Sequence, residues 1–304
     1  MTKEFTPLNQ LFNSLLDEKD VQLWIKRDDL THPELQGNKW RKLKYNISEA
    51  SQTNKKYLLT FGGAFSNHIF ATAAAGKLFN LKTIGVIRGE QIIPLNSTLH
   101  FAKNCGMDLR FVDRKTYSLK EKLLPSLNIS LEECYVLPEG GTNKLALQGC
   151  AELGLEIIDQ LDFTPDYICT SCGTGGTIAG LIHSKKLNTH IIGFPALKGD
   201  FMQKEVKDLL SNYFPNKEYD NFSFQNDYHF GGYAKHSSTL LDFINSFKEE
   251  YQIQLDPIYT GKMIYGIFDL IDKGFFSKGS KIVAIHTGGL QGILGFRERF
   301  GNLI

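Results

Sequence analysis

The chain has 304 residues, with 34 basic and 33 acidic side chains and a formal net charge of +1. This balance gives no electrostatic reason to expect binding to nucleic acid or to a membrane surface. Residues 1–5 lack the apolar core of a signal peptide, and no run of about 18 apolar residues is present, so we expect a cytoplasmic protein without a transmembrane helix. The length favours two lobes.

Strands and helices alternate along the chain. The predicted strands are Val21–Lys26, Tyr57–Thr60, Thr83–Arg88, Leu109–Val112, Tyr135–Leu137, Tyr167–Cys169, His190–Phe194, Phe222–Phe230 and Lys281–His286. The predicted helices are Trp40–Ala50, Asn67–Phe79, Ser97–Asn104, Ser118–Leu124, Asn143–Leu161, Ile178–Ile182, Phe201–Ser211, Ser237–Tyr251, Gly261–Asp272 and a short helix from Gln291. This order predicts an α/β fold in which mostly parallel sheets carry ligands at the carboxyl ends of their strands. Two runs of βα units predict two sheets that face a shared cleft.

The segment 169–177 links a predicted strand to a predicted helix and reads Cys-Thr-Ser-Cys-Gly-Thr-Gly-Gly-Thr. A glycine-rich turn at a helix N-terminus exposes N–H groups to the positive end of the helix dipole, which favours a phosphate. Residues available for such a site are Cys172, Gly173, Thr174, Gly175, Gly176 and Thr177. The spacing fits neither a P-loop nor a dinucleotide fingerprint, so we expect a phosphate that is held rather than transferred. The alternative is an ordinary tight turn.

Cys169 and Cys172 have the spacing of a redox or metal motif. No second cysteine pair supplies the remaining zinc ligands, and the five cysteines are an odd number in a long chain, which favours reduced thiols. We therefore predict no metal, with Cys169 in the core and Cys172 beside the phosphate.

Lys39 follows Asn38, which is a plausible helix N-cap. The helix dipole disfavours a cation in the first turn, so this position suits an amine with a lowered pKa that acts as nucleophile or base. The alternative is a solvated lysine next to Arg41 and Lys42.

Other polar clusters also fall at strand-to-helix junctions. Ser66, Asn67 and His68 could face a small anion such as a carboxylate, or could simply cap a helix. Residues 138–143 are most simply a turn and a cap. Tyr259 could stack on a flat ring, and Thr260 or Thr287 could meet a ring nitrogen.

In their order and spacing these motifs, together with Gly231-Gly232-Tyr233, resemble the 1-aminocyclopropane-1-carboxylate deaminase/D-cysteine desulfhydrase family. The resemblance runs from about Lys26 to Gly292. It implies pyridoxal 5'-phosphate as cofactor and the two-domain, tryptophan-synthase-β-like fold type II. It also implies a large cofactor domain (1–42 and 153–304), a small domain (43–152), a small amino-acid substrate and a homodimer.

Transferred to this chain, the resemblance assigns roles to individual residues. Lys39 holds the cofactor covalently and then removes the α-proton of the substrate. Asn67 contacts the phenolic oxygen of the ring, while Ser66, with neighbouring groups including His68, binds the substrate carboxylate. Tyr259 stacks near the ring and Tyr233 faces the substrate, and either tyrosine or Ser66 relays protons.

Two positions of the sequence distinguish the branches of this family. Deaminases that open a cyclopropane ring carry glutamate at the position of Thr260 and leucine at that of Thr287, so the two threonines are similar to the desulfhydrase branch. The resemblance thus implies α,β-elimination of D-cysteine to pyruvate, hydrogen sulfide and ammonia. Phe65 stands where the desulfhydrase pattern has glutamine, and Ile69-Phe70-Ala71 replaces polar residues, which predicts a more apolar pocket. Which threonine meets the ring nitrogen stays open.

Particular residues disfavour three alternative functions. Cyclopropane-ring deamination is disfavoured by Thr260 and Thr287. A non-catalytic binder of a phosphorylated metabolite is disfavoured by an intact Lys39. A nicotinamide dehydrogenase lacks its glycine spacing and the acidic residue that follows.

Overall fold

The structure, a computed structural model, describes residues 5–127, 129–184 and 188–304. Its strands are β1 (Leu8–Leu11), β2 (Gln22–Lys26), β3 (Tyr57–Gly63), β4 (Lys82–Arg88), β5 (Asp108–Val112), β6 (Cys134–Leu137), β7 (Tyr167–Cys172), β8 (His190–Pro195), β9 (Phe222–Phe224) and β10 (Lys281–Ile285). Its α-helices are α1 (Ser14–Lys19), α2 (Gly37–Gln52), α3 (Asn67–Leu78), α4 (Ser97–Asn104), α5 (Arg114–Tyr117), α6 (Lys144–Gln160), α7 (Gly176–His183), α8 (Met202–Tyr213), α9 (Ser238–Tyr251), α10 (Thr260–Asp272) and α11 (Gly292–Phe300).

The strands form two sheets, as predicted. The four-stranded sheet has the order β5-β4-β3-β6 and is parallel throughout. The six-stranded sheet has the order β1-β2-β10-β7-β8-β9, and in it β1 is antiparallel to β2. Strand order reverses between β3 and β6 in the first sheet, and between β7 and β10 in the second. Ligands bind at such switch points, outside the carboxyl ends of the strands.

The six-stranded sheet is buried on both faces, which explains its continuous apolar strands. Along β10, Ile282 and Ala284 pack in one core with α9 and α10, while Val283 and Ile285 pack in a second core with α6 and α7. This two-sided burial fixes the register of β7 and β10 and therefore the positions of the loops that leave them.

Helix α2 docks directly on the loop after β10. Gly37 has φ 54°, and a side chain there would overlap the carbonyl oxygen of Thr287. Only glycine suits this combination of left-handed backbone and close approach. The predicted Asn38 cap is wrong, because the helix begins at Gly37 with Gln36 as N-cap, and the Asn38 amide instead donates to the Thr177 hydroxyl at 3.1 Å.

Several other predicted elements differ from the observed ones. The helix predicted at Ser118–Leu124 is a 3₁₀ segment at Lys120–Leu127 that contains Pro125 and follows the short α5, since proline removes a helical N–H. The strand predicted to reach Phe230 ends at Phe224. The patterns at β1 and α1 were too short to recognise. Within the described residues, none of the helices is long and apolar enough to span a membrane.

The four-stranded sheet is built from residues 57–137 and the six-stranded sheet from the segments on either side. The predicted domain boundaries, at 42/43 and 152/153, fall inside α2 and α6. The exact division of the chain into domains stays a prediction.

Candidate active site

The carboxyl ends of the two sheets face a single cleft of about 1410 Å³. The cleft brings together all but one of the predicted site residues: Lys39, Ser66, Asn67, His68, Cys172, Gly173, Thr174, Gly175, Gly176, Thr177, Tyr233, Tyr259 and Thr287. Thr260 is not among the residues that line it. Loops that are distant in sequence meet here because both switch points open toward the same space.

One end of the cleft is a narrow glycine-rich turn at the N-terminus of α7, where the first helical N–H groups have no partner within the helix. Gly175 has φ 73°. A side chain at Gly176 would come within 2.7 Å of the Thr142 hydroxyl and 3.0 Å of Lys42 Nζ. The turn therefore keeps space and donors for an anion.

Lys42 is a site residue that the sequence interpretation missed. Its side chain is 2% exposed, and its Nζ donates to the carbonyl of Gly140 at 3.1 Å and to the hydroxyls of Thr142 and Thr174 at 3.0 and 3.3 Å. Burial lowers its pKa. The available signal was its spacing, because residues i and i+3 share a helix face and Lys42 therefore follows Lys39 toward the cleft. Thr142 likewise belongs to a turn that was interpreted as purely structural.

Lys39 lies in the first turn of α2, as predicted. Within the described part of the chain its amine makes no hydrogen bond and no ion pair. Burial, followed by the nearby charge of Lys42, lowers its pKa to about 7. A large fraction of the amine is consequently neutral near pH 7 and able to act as nucleophile or base.

This pKa gives a testable pH dependence. In cofactor-free protein, acylation of Lys39 should be half-maximal near pH 7, because only the neutral amine reacts and its fraction rises as the pH passes the pKa. Mass spectrometry of digests after brief labelling at pH 5.5–10 measures this, with the exposed Lys103 as internal control. A Lys39 midpoint close to the reference lysine value of about 10.4 would contradict the assignment.

The N-terminus of α3 forms the opposite wall. Ser66 is its N-cap, and its hydroxyl accepts from the N–H groups of His68 and Ile69 at 3.2 and 3.3 Å. The Asn67 side chain lies against the left-handed Gly289, where a Cβ would be 2.9 Å from Asn67 Nδ2. Asn67 is therefore held between α3 and the loop after β10.

His68 lines the cleft, but its ring is buried in the wall. It is 2% exposed, and its Nε2 pairs with the Thr60 hydroxyl at 2.8 Å. Burial, together with the charges of Lys39 and Lys42, lowers its pKa well below the usual value. A neutral, paired imidazole adds no positive charge for a carboxylate, so the N–H groups of α3 are better placed for that role.

Two aromatic rings stand over the cleft. Tyr259 approaches Gly173 so closely that a Cβ there would lie 3.2 Å from the ring, and burial raises the pKa of its phenol. Tyr233 meets Tyr259 edge-to-face with 6.1 Å between ring centroids. Although 45% of Tyr233 faces open space, desolvation by the cleft walls raises its pKa as well.

The two threonines have different environments. Thr260 is fully buried, and its hydroxyl donates to the Asp256 carboxylate at 2.7 Å. The same carboxylate accepts from the N–H groups of Ile258, Tyr259 and Thr260, so Asp256 is occupied by the turn that leads into α10. Thr287 lines the cleft and pairs with the Ser171 hydroxyl at 3.2 Å. This geometry does not support a contact between the Thr260 hydroxyl and a ligand, and it leaves Thr287 as the available hydroxyl.

The cysteines lie where the sequence placed them. Cys169 is fully buried in the core, and Cys172 lines the cleft. Burial raises the pKa of Cys172 to about 12 and that of Cys169 further, which keeps both thiols protonated and unreactive at neutral pH. Among the residues in the described ranges, no three His, Cys, Asp or Glu side chains are grouped as a metal site.

Comparisons with known proteins show the family of this chain. The model of the family described as "Pyridoxal-phosphate dependent enzyme" matches residues 2–288. A bifunctional D-cysteine desulfhydrase/1-aminocyclopropane-1-carboxylate deaminase of Arabidopsis thaliana is 32% identical over 93% of this chain and 76% of its own. The chain belongs to this family of pyridoxal-phosphate-dependent enzymes. A putative 1-aminocyclopropane-1-carboxylate deaminase of Pyrococcus horikoshii is a further family member, 33% identical over 98% of this chain and 94% of its own.

The fold agrees with the family. The crystal structure of an "ACC deaminase homologue" superposes with a TM-score of 0.85 and 29% identity, over 99% of this chain and 94% of that one. The resemblance, the fold type II architecture and the pyridoxal phosphate cofactor inferred from the sequence are thereby confirmed. The roles of individual residues are proposals.

The residues present in the cleft fit this cofactor. Pyridoxal phosphate needs an amine for its aldehyde, a pocket for its phosphate and a partner for its ring nitrogen. The amine can come from Lys39, and the phosphate pocket is the space at Gly176 in front of Lys42. The hydroxyl of Thr287 is available for the ring nitrogen. All of them line the same cleft.

Proposed function

We propose that this enzyme catalyses α,β-elimination of a small amino acid, with D-cysteine as the favoured substrate and pyruvate, hydrogen sulfide and ammonia as products. The observation that carries the proposal is the hydroxyl of Thr287, which lines the cleft. Thr287 belongs to the loop after β10, against which the start of α2 packs. Both oxygens of the nearby Asp256 carboxylate already accept hydrogen bonds from the turn that leads into α10 and from Thr260. A hydroxyl leaves the ring nitrogen neutral, whereas a carboxylate would keep it protonated.

The geometry of the cleft supports an assignment of the groups that hold the cofactor. We assign its covalent attachment to Lys39, its phosphate to segment 173–177 with Lys42 behind it, its phenolic oxygen to Asn67 and its ring nitrogen to Thr287. The sequence suggested Thr260 as a second candidate for the ring nitrogen. We do not assign it to the cofactor, because its hydroxyl donates to Asp256. Bound pyridoxal phosphate supplies an electron sink for negative charge at the α-carbon of an amino acid.

The remaining steps belong to side chains of the cleft. The N–H groups at the start of α3 and the Ser66 hydroxyl bind the substrate carboxylate. Lys39 Nζ takes the α-proton, for which a pKa near 7 is well matched. The β-carbon–sulfur bond breaks and its electron pair leaves as hydrosulfide, while Tyr233 or Tyr259 relays protons. One water is consumed, so D-cysteine and water yield pyruvate, hydrogen sulfide and ammonia.

One wall of the pocket is apolar where the desulfhydrase pattern has a polar residue. Phe65 lines the cleft, packs directly on Gly295 of α11, and lies 5.7 Å below the guanidinium of Arg299. An aromatic ring here replaces the glutamine that the desulfhydrase pattern has. Substrates with a larger or apolar β-substituent therefore belong in the test.

The test is keto-acid release from a panel of D- and L-amino acids, β-substituted alanines and the cyclopropane amino acid. We expect pyruvate from D-cysteine with one sulfide for each pyruvate. A four-carbon keto acid from the cyclopropane substrate, without pyruvate from any β-substituted substrate, would favour the deaminase alternative. A cofactor-loaded protein that releases no keto acid at all would favour a binding protein. The cytoplasmic location and the homodimer stay predictions from the sequence.

The assignment of Thr287 predicts opposite phenotypes for two threonine variants. Thr287→Val should lower kcat/KM about 10-fold or more and shift the absorption of the bound cofactor, because the ring nitrogen loses its partner. Thr260→Val should cost about 1–3 kcal/mol of unfolding free energy, because the buried Asp256 loses a donor, with an unshifted cofactor spectrum. Absorption spectra, steady-state kinetics and urea unfolding of the two variants measure this. The reverse pattern would return the role to Thr260.

A further inference from the structure

Lys262 is a buried lysine in the first turn of α10, three residues after Tyr259. Its side chain is 2% exposed, and the positive end of the helix dipole disfavours a cation at this position. Its Nζ donates to the carbonyl oxygens of His229 and Gly232, both at 2.8 Å. Burial lowers its pKa to about 8, with nearby Asp256 opposing the shift, so the ammonium form predominates at neutral pH.

Both acceptors belong to residues 229–234, here called the tyrosine loop because it carries Tyr233. The backbone of this loop is unusual, since Phe230, Gly231, Gly232 and Ala234 all have positive φ, between 51° and 118°. Phe230 and Ala234 are not glycines, and such residues rarely adopt positive φ angles. A backbone of this kind persists only where surrounding contacts stabilise it.

The loop's own hydrogen bonds are short-range, and one of them runs from the N–H of Gly231 to Nδ1 of His229 at 2.8 Å. The His229 carbonyl also accepts from the N–H of Gly232, and the Gly232 carbonyl from the N–H of Lys235, at 3.0 and 3.1 Å. Lys262 thus donates to one carbonyl just before the left-handed stretch and to one carbonyl within it. It ties this stretch to α10, the helix whose N-cap residue is Tyr259, and Tyr233 packs against the Tyr259 ring.

We propose that Lys262 is a positioning residue that holds the tyrosine loop closed on α10, so that Tyr233 stands over the substrate end of the cleft against Tyr259. The proposal rests on the proposed function insofar as Tyr233 faces the substrate. Lys262 itself lies outside the cleft lining, so it acts through Tyr233 rather than on the reacting atoms.

The first measurement is amide hydrogen exchange of the cofactor-loaded protein. Lys262→Met keeps the length and apolar stem but removes the donors, and should speed exchange within residues 231–234 about 10-fold or more. Tyr228→Phe is the matched control, because it removes a 2.7 Å bond from the preceding 3₁₀ helix to Asp269 of the same α10. It should leave exchange at Tyr233 unchanged. If Lys262→Met does not fold, Lys262→Gln retains a shorter, uncharged amide donor group and should show an intermediate increase.

The second measurement separates positioning from a general loss of stability. Lys262→Met should lower kcat/KM roughly 10- to 100-fold. When it is combined with Tyr233→Phe, the double variant should be hardly worse than Tyr233→Phe, because both changes remove the same contribution. Unchanged exchange, or kinetic effects that simply add, would overturn the proposal. If the wild-type enzyme releases no keto acid, the proposed function fails, and the exchange comparison still decides whether Lys262 anchors the loop.

Discussion

Replacing Lys39 with alanine should abolish turnover, with a loss of more than about 1000-fold in kcat. Two contributions disappear together, because the same amine is assigned the covalent attachment of the cofactor and the removal of the α-proton. The visible absorption band of the lysine-bound cofactor should vanish as well, although pyridoxal phosphate can still occupy the phosphate pocket. Absorption spectra and keto-acid assays of the purified variant measure both effects.

The matched control lies on the same helix. Lys44 lies between α2 and α6, where it pairs with Glu152, and it does not line the cleft, so Lys44→Ala should keep the band and the activity. A Lys39→Ala protein that retains full β-elimination activity would contradict the assignment. Retention of the band with loss of activity would mean that a different lysine, with Lys42 the nearest candidate, carries the cofactor.

The largest expected effect on stability comes from a buried ion cluster behind the site. Lys26 of β2 is fully buried and pairs with Glu156 of α6 at 2.6 Å. The same carboxylate pairs with Arg41 of α2 at 2.7 Å, and Arg41 also pairs with Asp28 at 2.6 Å. Two cations and two anions thus balance in a dry region that joins β2, α2 and α6. This cluster holds the helix that carries Lys39 against the six-stranded sheet.

Glu156→Gln should lower the free energy of unfolding by about 3–5 kcal/mol, because it leaves buried positive charge with too little compensation. The control is Glu152→Gln, one turn earlier on the same helix, where the glutamate is partly exposed and pairs with Lys44. A surface pair of this kind contributes about 0–1 kcal/mol. Urea unfolding of both variants measures the difference, and equal losses would contradict the interpretation.

The pH dependence of stability gives a second test of this cluster. Burial by itself raises the pKa of Glu156, but the hydrogen bonds and charges of Arg41 and Lys26 outweigh it and hold the pKa below its usual value. A carboxyl whose pKa is lower in the folded state stabilises the protein above its unfolded pKa, and that contribution is lost as the pH falls. Between pH 5 and pH 3 the wild type should therefore lose more stability than Glu156→Gln. An equal slope for the two proteins would contradict it.

Much of the fold was accessible from the sequence, because its elements alternate with clear periodicity and end in glycine- and hydroxyl-rich turns. The turn at Gly173 was predicted at its observed place, since strand, glycines and helix follow each other locally. The segments that failed depend on contacts distant in sequence. Helix α2 begins at Gly37 because the loop of Thr287 lies against it, which no local pattern around Asn38 records.

In the active site, too, features set by one segment were predictable and features set by distant contacts were not. The sequence placed Thr260 and Thr287 as equal candidates for the ring nitrogen, and only the folded loop of Asp256 shows that the Thr260 hydroxyl is occupied. The role of Lys42 was not predicted, because its partners Gly140 and Thr174 lie in the loops after two other strands, β6 and β7. Side-chain chemistry was therefore predictable where one segment supplies it, and not where three segments meet.

The central claim is that Lys39 carries pyridoxal phosphate in the cleft between the two sheets. Borohydride reduction of the loaded enzyme, followed by digestion and mass spectrometry, tests it most directly, because reduction fixes the cofactor to the lysine that holds it. We predict a single pyridoxyl-modified peptide that contains Lys39. Modification at Lys42 or at another lysine, with Lys39 unmodified, would contradict the assignment.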